Sequence, residues 1–203
     1  MSTQTAGRQR HARHDDEGTL ALRAARRLED ADELDAVADR LRGTAERVLA
    51  GSPGLAEVLR GGPVGHALHP LLTDLPLGLW TSATVLDLVG GPAGRPAADR
   101  LVGLGVLAAL PTAVTGVADW VLADTRTQRV GVVHAGLNGT VLVLYGVSWL
   151  ARRRGRRAAG LATSLLAGVA ATASGYLGGH MSFRLGSRVE VEPQDGAGDD
   201  TGR

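Results

Sequence analysis

Hydrophobic and polar positions divide this chain into two unlike parts. Between Thr19 and about Ala50, Leu34, Val37, Leu41, Ala45 and Val48 recur every three or four residues among acids and arginines. That spacing predicts an amphipathic helix, or two, with a narrow apolar stripe. Its simplest use is packing on the rim of the domain. The other uses are pairing with a second copy and lying on a membrane surface. Gly51-Ser52-Pro53-Gly54 and Gly61-Gly62-Pro63 then break the pattern.

Past Pro70 the periodicity gives way to four apolar segments, at about 70–90, 99–123, 130–151 and 158–181. At ~1.5 Å per residue each reaches roughly 30 Å, the thickness of a hydrocarbon core. The separators Gly91 to Ala98, Asp124 to Arg129 and Arg152 to Arg157 are short. The fold class expected is therefore all-α, an integral membrane antiparallel four-helix bundle with an N-terminal amphipathic helix. A soluble bundle would need charged outer faces that these segments lack. The expected plan is a disordered head (1–18), an amphipathic helical segment (19–60), the transmembrane domain (61–188) and a disordered acidic tail (189–203). Ala171, Gly175 and Gly179 recur at every fourth residue, which favours close helix contact in lipid. Pro76 and Pro111 should bend the first and second long helices.

Up-and-down topology gathers the polar residues at one end, face A. His66, His69 and Asp74 open the first long helix, and Asp119 lies near the end of the second. His134 and Asn138 open the third; Tyr176 and His180 share a stripe at the end of the fourth. Ionisable groups at membrane depth face the interior and mark function. Asp87 falls at the opposite end, face B, beside Arg95 and Arg100.

Three chemistries fit such a cluster. Imidazoles on different helices ligate haem iron, and His with Asp binds a transition metal. His and Asp also exchange protons with a quinone. The third reading is a hydrogen-bonded network that only fixes helix register. His66, His69, His134 and His180 are the candidate cofactor-binding residues, supported by Asp74, Asp119, Asn138 and Tyr176. His11 and His14, in the polar head, are assigned no role.

Composition removes several classes. The chain has no cysteine, which excludes disulfides, thiolate metal sites and cysteine-ligated iron–sulphur clusters on this polypeptide. A net charge of +1 gives no argument for nucleic acid. No nucleophile–base pair or phosphate-cradling loop is visible, so an enzyme acting alone is not the expectation. The polar stretch Met1 to Gly18 has no apolar signal-peptide core. Arg95, Arg100, Arg152, Arg153, Arg154, Arg156 and Arg157 fall on face B, against Arg60, Arg126, Arg129, Arg184 and Arg188 on face A. The positive-inside rule thus places the Arg152 to Arg157 loop in the cytoplasm.

The runs GHALHPLLTDLPLGLW (65–80), TSATVLDLVGG (81–91), HAGLN (134–138) and SGYLGGHMSFRLG (174–186) resemble a bacterial family of four-helix membrane domains of unknown function. Its members occur alone or fused to a C-terminal Rieske-type iron–sulphur domain, and LEDADELDAVADRLRGTAERVL (28–49) resembles the lead-in of the fused ones. The resemblance covers about residues 28–188. It implies a multi-pass protein of the bacterial cytoplasmic membrane in an electron-transfer setting, in which the haem b or quinone that the polar cluster suggests would be the candidate cofactor. Without cysteine the chain cannot hold a Rieske cluster, so an iron–sulphur or other redox partner would be a separate protein. A homo-oligomer is a further expectation. The alternative is a non-catalytic scaffold or anchor that recruits a soluble partner through its head helix.

Overall fold

The computed structural model of this chain describes residues 18–186, and the expectations for the extreme head and tail, with His11, His14 and Arg188, fall outside them. The described elements are all helical. Three short helices come first: α1 (Leu20–Glu29), α2 (Asp35–Ala50) and α3 (Pro53–Leu59). Four long ones follow: α4 (Leu68–Val89, 22 residues), α5 (Gly91–Trp120, 30), α6 (Thr125–Arg153, 29) and α7 (Arg157–Phe183, 27). Of these, α5, α6 and α7 are long and apolar enough to cross a membrane. The remaining helix, α4, carries Asp74 and Asp87 within its apolar run.

Local chemistry sets the helix ends. Thr19 Oγ1 accepts from the Leu22 N–H (3.3 Å) to cap α1, and Asp124 Oδ1 accepts from the Thr127 N–H (2.8 Å) to cap α6. The start of α4 differs from the expectation of a helix running from His66. Gly65, at φ 70°, ends the 3-10 turn Gly62–Val64, and Ala67 is extended. His66 therefore precedes the helix and is exposed. The expected linker Gly91 to Ala98 is instead the first turns of α5, because a proline in a first turn gives up an N–H that has no helical partner anyway. Arg152 and Arg153 likewise belong to α6, and the loop shrinks to Arg154–Arg156.

Packing joins α4 to α5 and α6 to α7 most closely; α5 then meets α6, while α4 touches α7 only sparsely. Thr112 Oγ1 donates to the Leu72 carbonyl (3.1 Å), and Trp80 Nε1 donates to the Val102 carbonyl (3.3 Å). Trp80, Ala83, Ala98, Val102, Val141, Tyr145 and Ala167 form the main core. Each of the three tryptophans rests on a glycine of another helix: Trp80 on Gly105, Trp149 on Gly103 and Trp120 on Gly131. A Cβ at any of these glycines would collide with the indole. Close approach thus comes from glycine–tryptophan seats. The expected α7 stripe contributes Ala171 to the core, whereas Gly175 faces open space.

Leu104, Leu107, Leu110, Val143, Leu166 and Val169 are exposed along the long helices, as a lipid-facing surface requires. The head differs from its expected packing. α2 buries Ala38, and its Val37, Leu41 and Val48 stripe points outward.

Candidate functional site

His69 and His134 are held in the same manner. His69 Nδ1 lies 2.9 Å from the Thr112 carbonyl of α5, and His134 Nδ1 lies 2.9 Å from the Ser174 carbonyl of α7. A carbonyl can only accept, so Nδ1 carries the proton in both rings and Nε2 is left with a lone pair. Each ring also packs on a glycine one helical turn past that carbonyl. A Cβ at Gly116 would stand 2.7 Å from the His69 ring, and one at Gly178 would stand 3.1 Å from the His134 ring.

A closed network continues from His134. Asn138 Nδ2 donates to His134 Nε2 (2.9 Å), and Ser174 Oγ donates to Asn138 Oδ1 (3.0 Å). The loop returns through the His134 Nδ1–H to the Ser174 carbonyl. With His134 neutral and protonated on Nδ1, every donor in this loop finds an acceptor. Asn138 itself is exposed to the outside of the helices, so one side of this network is open.

The other expected residues disperse. His180 is buried, and its Nε2 pairs with Glu29 Oε1 of α1 at 2.7 Å. It thereby ties the head to the end of α7. Asp119 is half-buried in the field of Arg60, whose Nε donates to the neighbouring Ala118 carbonyl (3.2 Å). Tyr176 is 41% exposed, and His66 and Asp74 are exposed. Among the described residues no three His, Asp or Glu side chains gather as a metal site.

A second polar cluster was not anticipated from sequence. Arg152 Nη2 meets Asp87 Oδ2 at 2.6 Å, with 0% and 1% of the two side chains exposed, and Arg152 Nη1 meets Asp99 Oδ1 at 3.0 Å. Arg157 bridges the same aspartates at 2.5 and 3.1 Å. Ser148 and Ser164 complete the arginine's shell through Nε and Nη2. The cluster is electrically balanced and draws one or more residues from each of α4, α5, α6 and α7. Asp87 lies near this end and is paired there, with Arg152 and Arg157. Arg152 and Arg157 count as loop charges in the sequence; the buried Asp87 and the partly exposed Asp99 neutralise both, which weakens the charge bias behind the orientation. The available signal was Arg152 itself, a cation inside the third apolar run, with acids at the ends of the two preceding helices.

The head is fixed by a further ion pair. Arg129 Nε and Nη2 grip Asp35 at 2.6 and 2.7 Å, and Nη1 donates to the Glu29 carbonyl (3.0 Å). The guanidinium holds the Asp35 carboxyl below its ordinary value near 3.8.

No curated protein and no solved structure matches this chain. Residues 65–191 match the family model described as "Predicted membrane protein (DUF2231)", and that match spans all four long helices and both polar clusters. The chain is a membrane protein of the DUF2231 family.

Proposed function

We propose that α4–α7 cross the bacterial cytoplasmic membrane as an antiparallel four-helix bundle, and that the His69–His134 end holds a redox ligand. On this reading the domain covers about 61–188, the head segment 19–60 caps one face, and the chain serves as a redox-associated subunit with a separate redox partner. The observation that carries it is the matched pair of rings, each with Nδ1 tied to a carbonyl of another helix and Nε2 without a proton, on His134 accepting from Asn138. Imidazoles fixed through Nδ1 in this way are the usual form of metal-ligating histidine.

The residues fit a haem or metal better than a bare cavity would. The seats at Gly116 and Gly178 bring the rings close to α5 and α7, and an electron-pair acceptor or an O–H donor could take the unprotonated Nε2 of His69 and displace Asn138 from that of His134. His69 and His134 would hold the group; His66 and His180, though expected as ligands, would not. A haem would supply one-electron chemistry, and a quinol would present hydroxyl protons to the two nitrogens. The test is absorption spectroscopy of the detergent-purified protein, oxidised and dithionite-reduced, with metal analysis and quinone extraction. The expected result is one of these ligands in near-stoichiometric amount. Absence of all three, after expression with ample haem and metal, would overturn the reading.

The bonds among Ser174, Asn138 and His134 favour a second reading, a scaffold whose polar network is purely structural. The exposed α2 stripe of Val37, Leu41 and Val48 would then recruit a soluble partner. Deleting residues 19–50 distinguishes the two, since only the scaffold loses its function with the head.

A further inference from the structure

Two of the long helices mark where the hydrocarbon ends. α5 has no charged residue from Leu101 to Ala118, and α6 has none from Val130 to Ala151. At ~1.5 Å per residue each run covers roughly 30 Å, the thickness of a hydrocarbon core. At the His134 end these runs stop against Asp119 and Arg129, so the edge of the apolar layer falls at the joint between α5 and α6. Phe183 closes α7 at this same end and is 90% exposed, as an aromatic residue at a membrane boundary can be.

The head is fastened at that depth. Arg129 grips Asp35, and Asp35, Ala38 and Arg42 of α2 face Ala123, Asp124 and Gln128 across one cleft. Arg60, just past α3, donates to the Ala118 carbonyl (3.2 Å), which holds α3 and its exposed Leu55 and Val58 at the same level. At about 100° per residue α2 then shows four distinct sides. Ala38, Arg42, Ala45 and Leu49 form the docked side. Val37, Leu41 and Val48 lie within about 40° of one another, roughly a quarter-turn away, and all three are exposed, Val48 by 72%. Asp39 and Glu46 lie opposite that stripe, with 68% and 51% of their side chains exposed. Arg40 and Arg47 occupy the fourth side, between stripe and acids.

We propose that α2 is an interfacial helix, with its Val37, Leu41 and Val48 stripe seated among the lipids at the edge of the bilayer that the bundle crosses. A lipid surface suits each side of the helix. The stripe continues, at the same depth, the lipid-facing surface that α5 ends in Val117 and Leu122, both exposed. Arg40 and Arg47 stand beside it at the level of lipid phosphates, and the acids turn to water, away from those phosphates. A soluble partner could be met at any height above the membrane, whereas the Asp35–Arg129 grip puts the stripe at the height where acyl chains begin. This rests on the membrane crossing proposed above and not on any ligand at the histidines.

The chain has no cysteine, so a single introduced one can be labelled uniquely. Leu41→Cys, Val48→Cys, Glu46→Cys and Leu107→Cys, each at an exposed position, carry a small fluorophore in full-length protein. The protein is reconstituted into phosphatidylcholine–phosphatidylglycerol vesicles brominated either near the headgroup or near the chain ends. Leu107, on the lipid-facing side of α5, should be quenched by the deep bromines. The two stripe labels should be quenched by the shallow bromines at least about two-fold more than the Glu46 label, as seating at the acyl boundary implies. Stripe labels quenched no more than the Glu46 label, with Leu107 still quenched, would overturn the interfacial seat, spare the membrane crossing and leave the stripe to a protein partner. Leu107 unquenched as well would overturn the crossing and the seat together.

Discussion

Arg152 of α6 and Asp87 of α4 meet at 2.6 Å with both side chains withdrawn from solvent. Each supplies the charge that balances the other inside the bundle. Removing one partner of a buried pair leaves an uncompensated ion, which costs about 3–5 kcal/mol. Arg152→Met should therefore lower thermal stability in detergent sharply. The exchange Asp87→Arg with Arg152→Asp should recover part of the loss, and a double variant no more stable than Arg152→Met would contradict the pairing.

Gly116 and Gly178 seat the two histidine rings, so added bulk should act on ligand binding before it acts on fold. Gly116→Val should displace His69 and reduce bound ligand several-fold. Gly136→Ala, where a Cβ meets nothing within 4 Å, serves as the control and should change neither ligand content nor stability. Equal effects at both positions would count against the seat.

Asn138 separates the redox and scaffold readings. Replacing it by Ala removes a competitor for His134 Nε2. A hydrogen bond worth about 1 kcal/mol corresponds to roughly five-fold in affinity. Ligand affinity should stay level or rise by about that factor in a haemin titration. If Asn138→Ala instead destabilises the protein with no ligand in either form, the network is structural.

Asp35 gives the head a pH dependence of known sign. Its folded carboxyl sits below the ordinary 3.8 because of Arg129. The pair thus stabilises head docking fully above that value, and the contribution is lost as pH falls through the lower, folded one. Proteolysis of the α1–α2 segment should accelerate below about pH 4. Asp35→Asn should be cleaved faster at neutral pH and lose most of that acid dependence; an unchanged pH profile would contradict the account.

The long helices were legible because apolar length is a property of composition alone, and α5, α6 and α7 needed only boundary corrections. His69 and His134 were legible as polar residues near the same helix ends. Their partners were not, since main-chain carbonyls and glycine seats leave no chemical mark in a sequence. His180 was misgrouped for a related reason. Glu29, its partner, lies in the head, whose docking depends on the tertiary fold. The α2 stripe predicted a buried face, but Ala38 and the Asp35–Arg129 grip dock that helix by another side. Arg152 read as a loop charge because arginines follow it immediately, although its own side chain turns back to Asp87.

The most direct measurement is a haemin titration of ligand-free, detergent-purified protein, followed at the Soret band. The account predicts saturation at one haem per chain, abolished by His69→Ala and by His134→Ala alike. Tight binding that survives both substitutions would contradict a ligand site at His69 and His134.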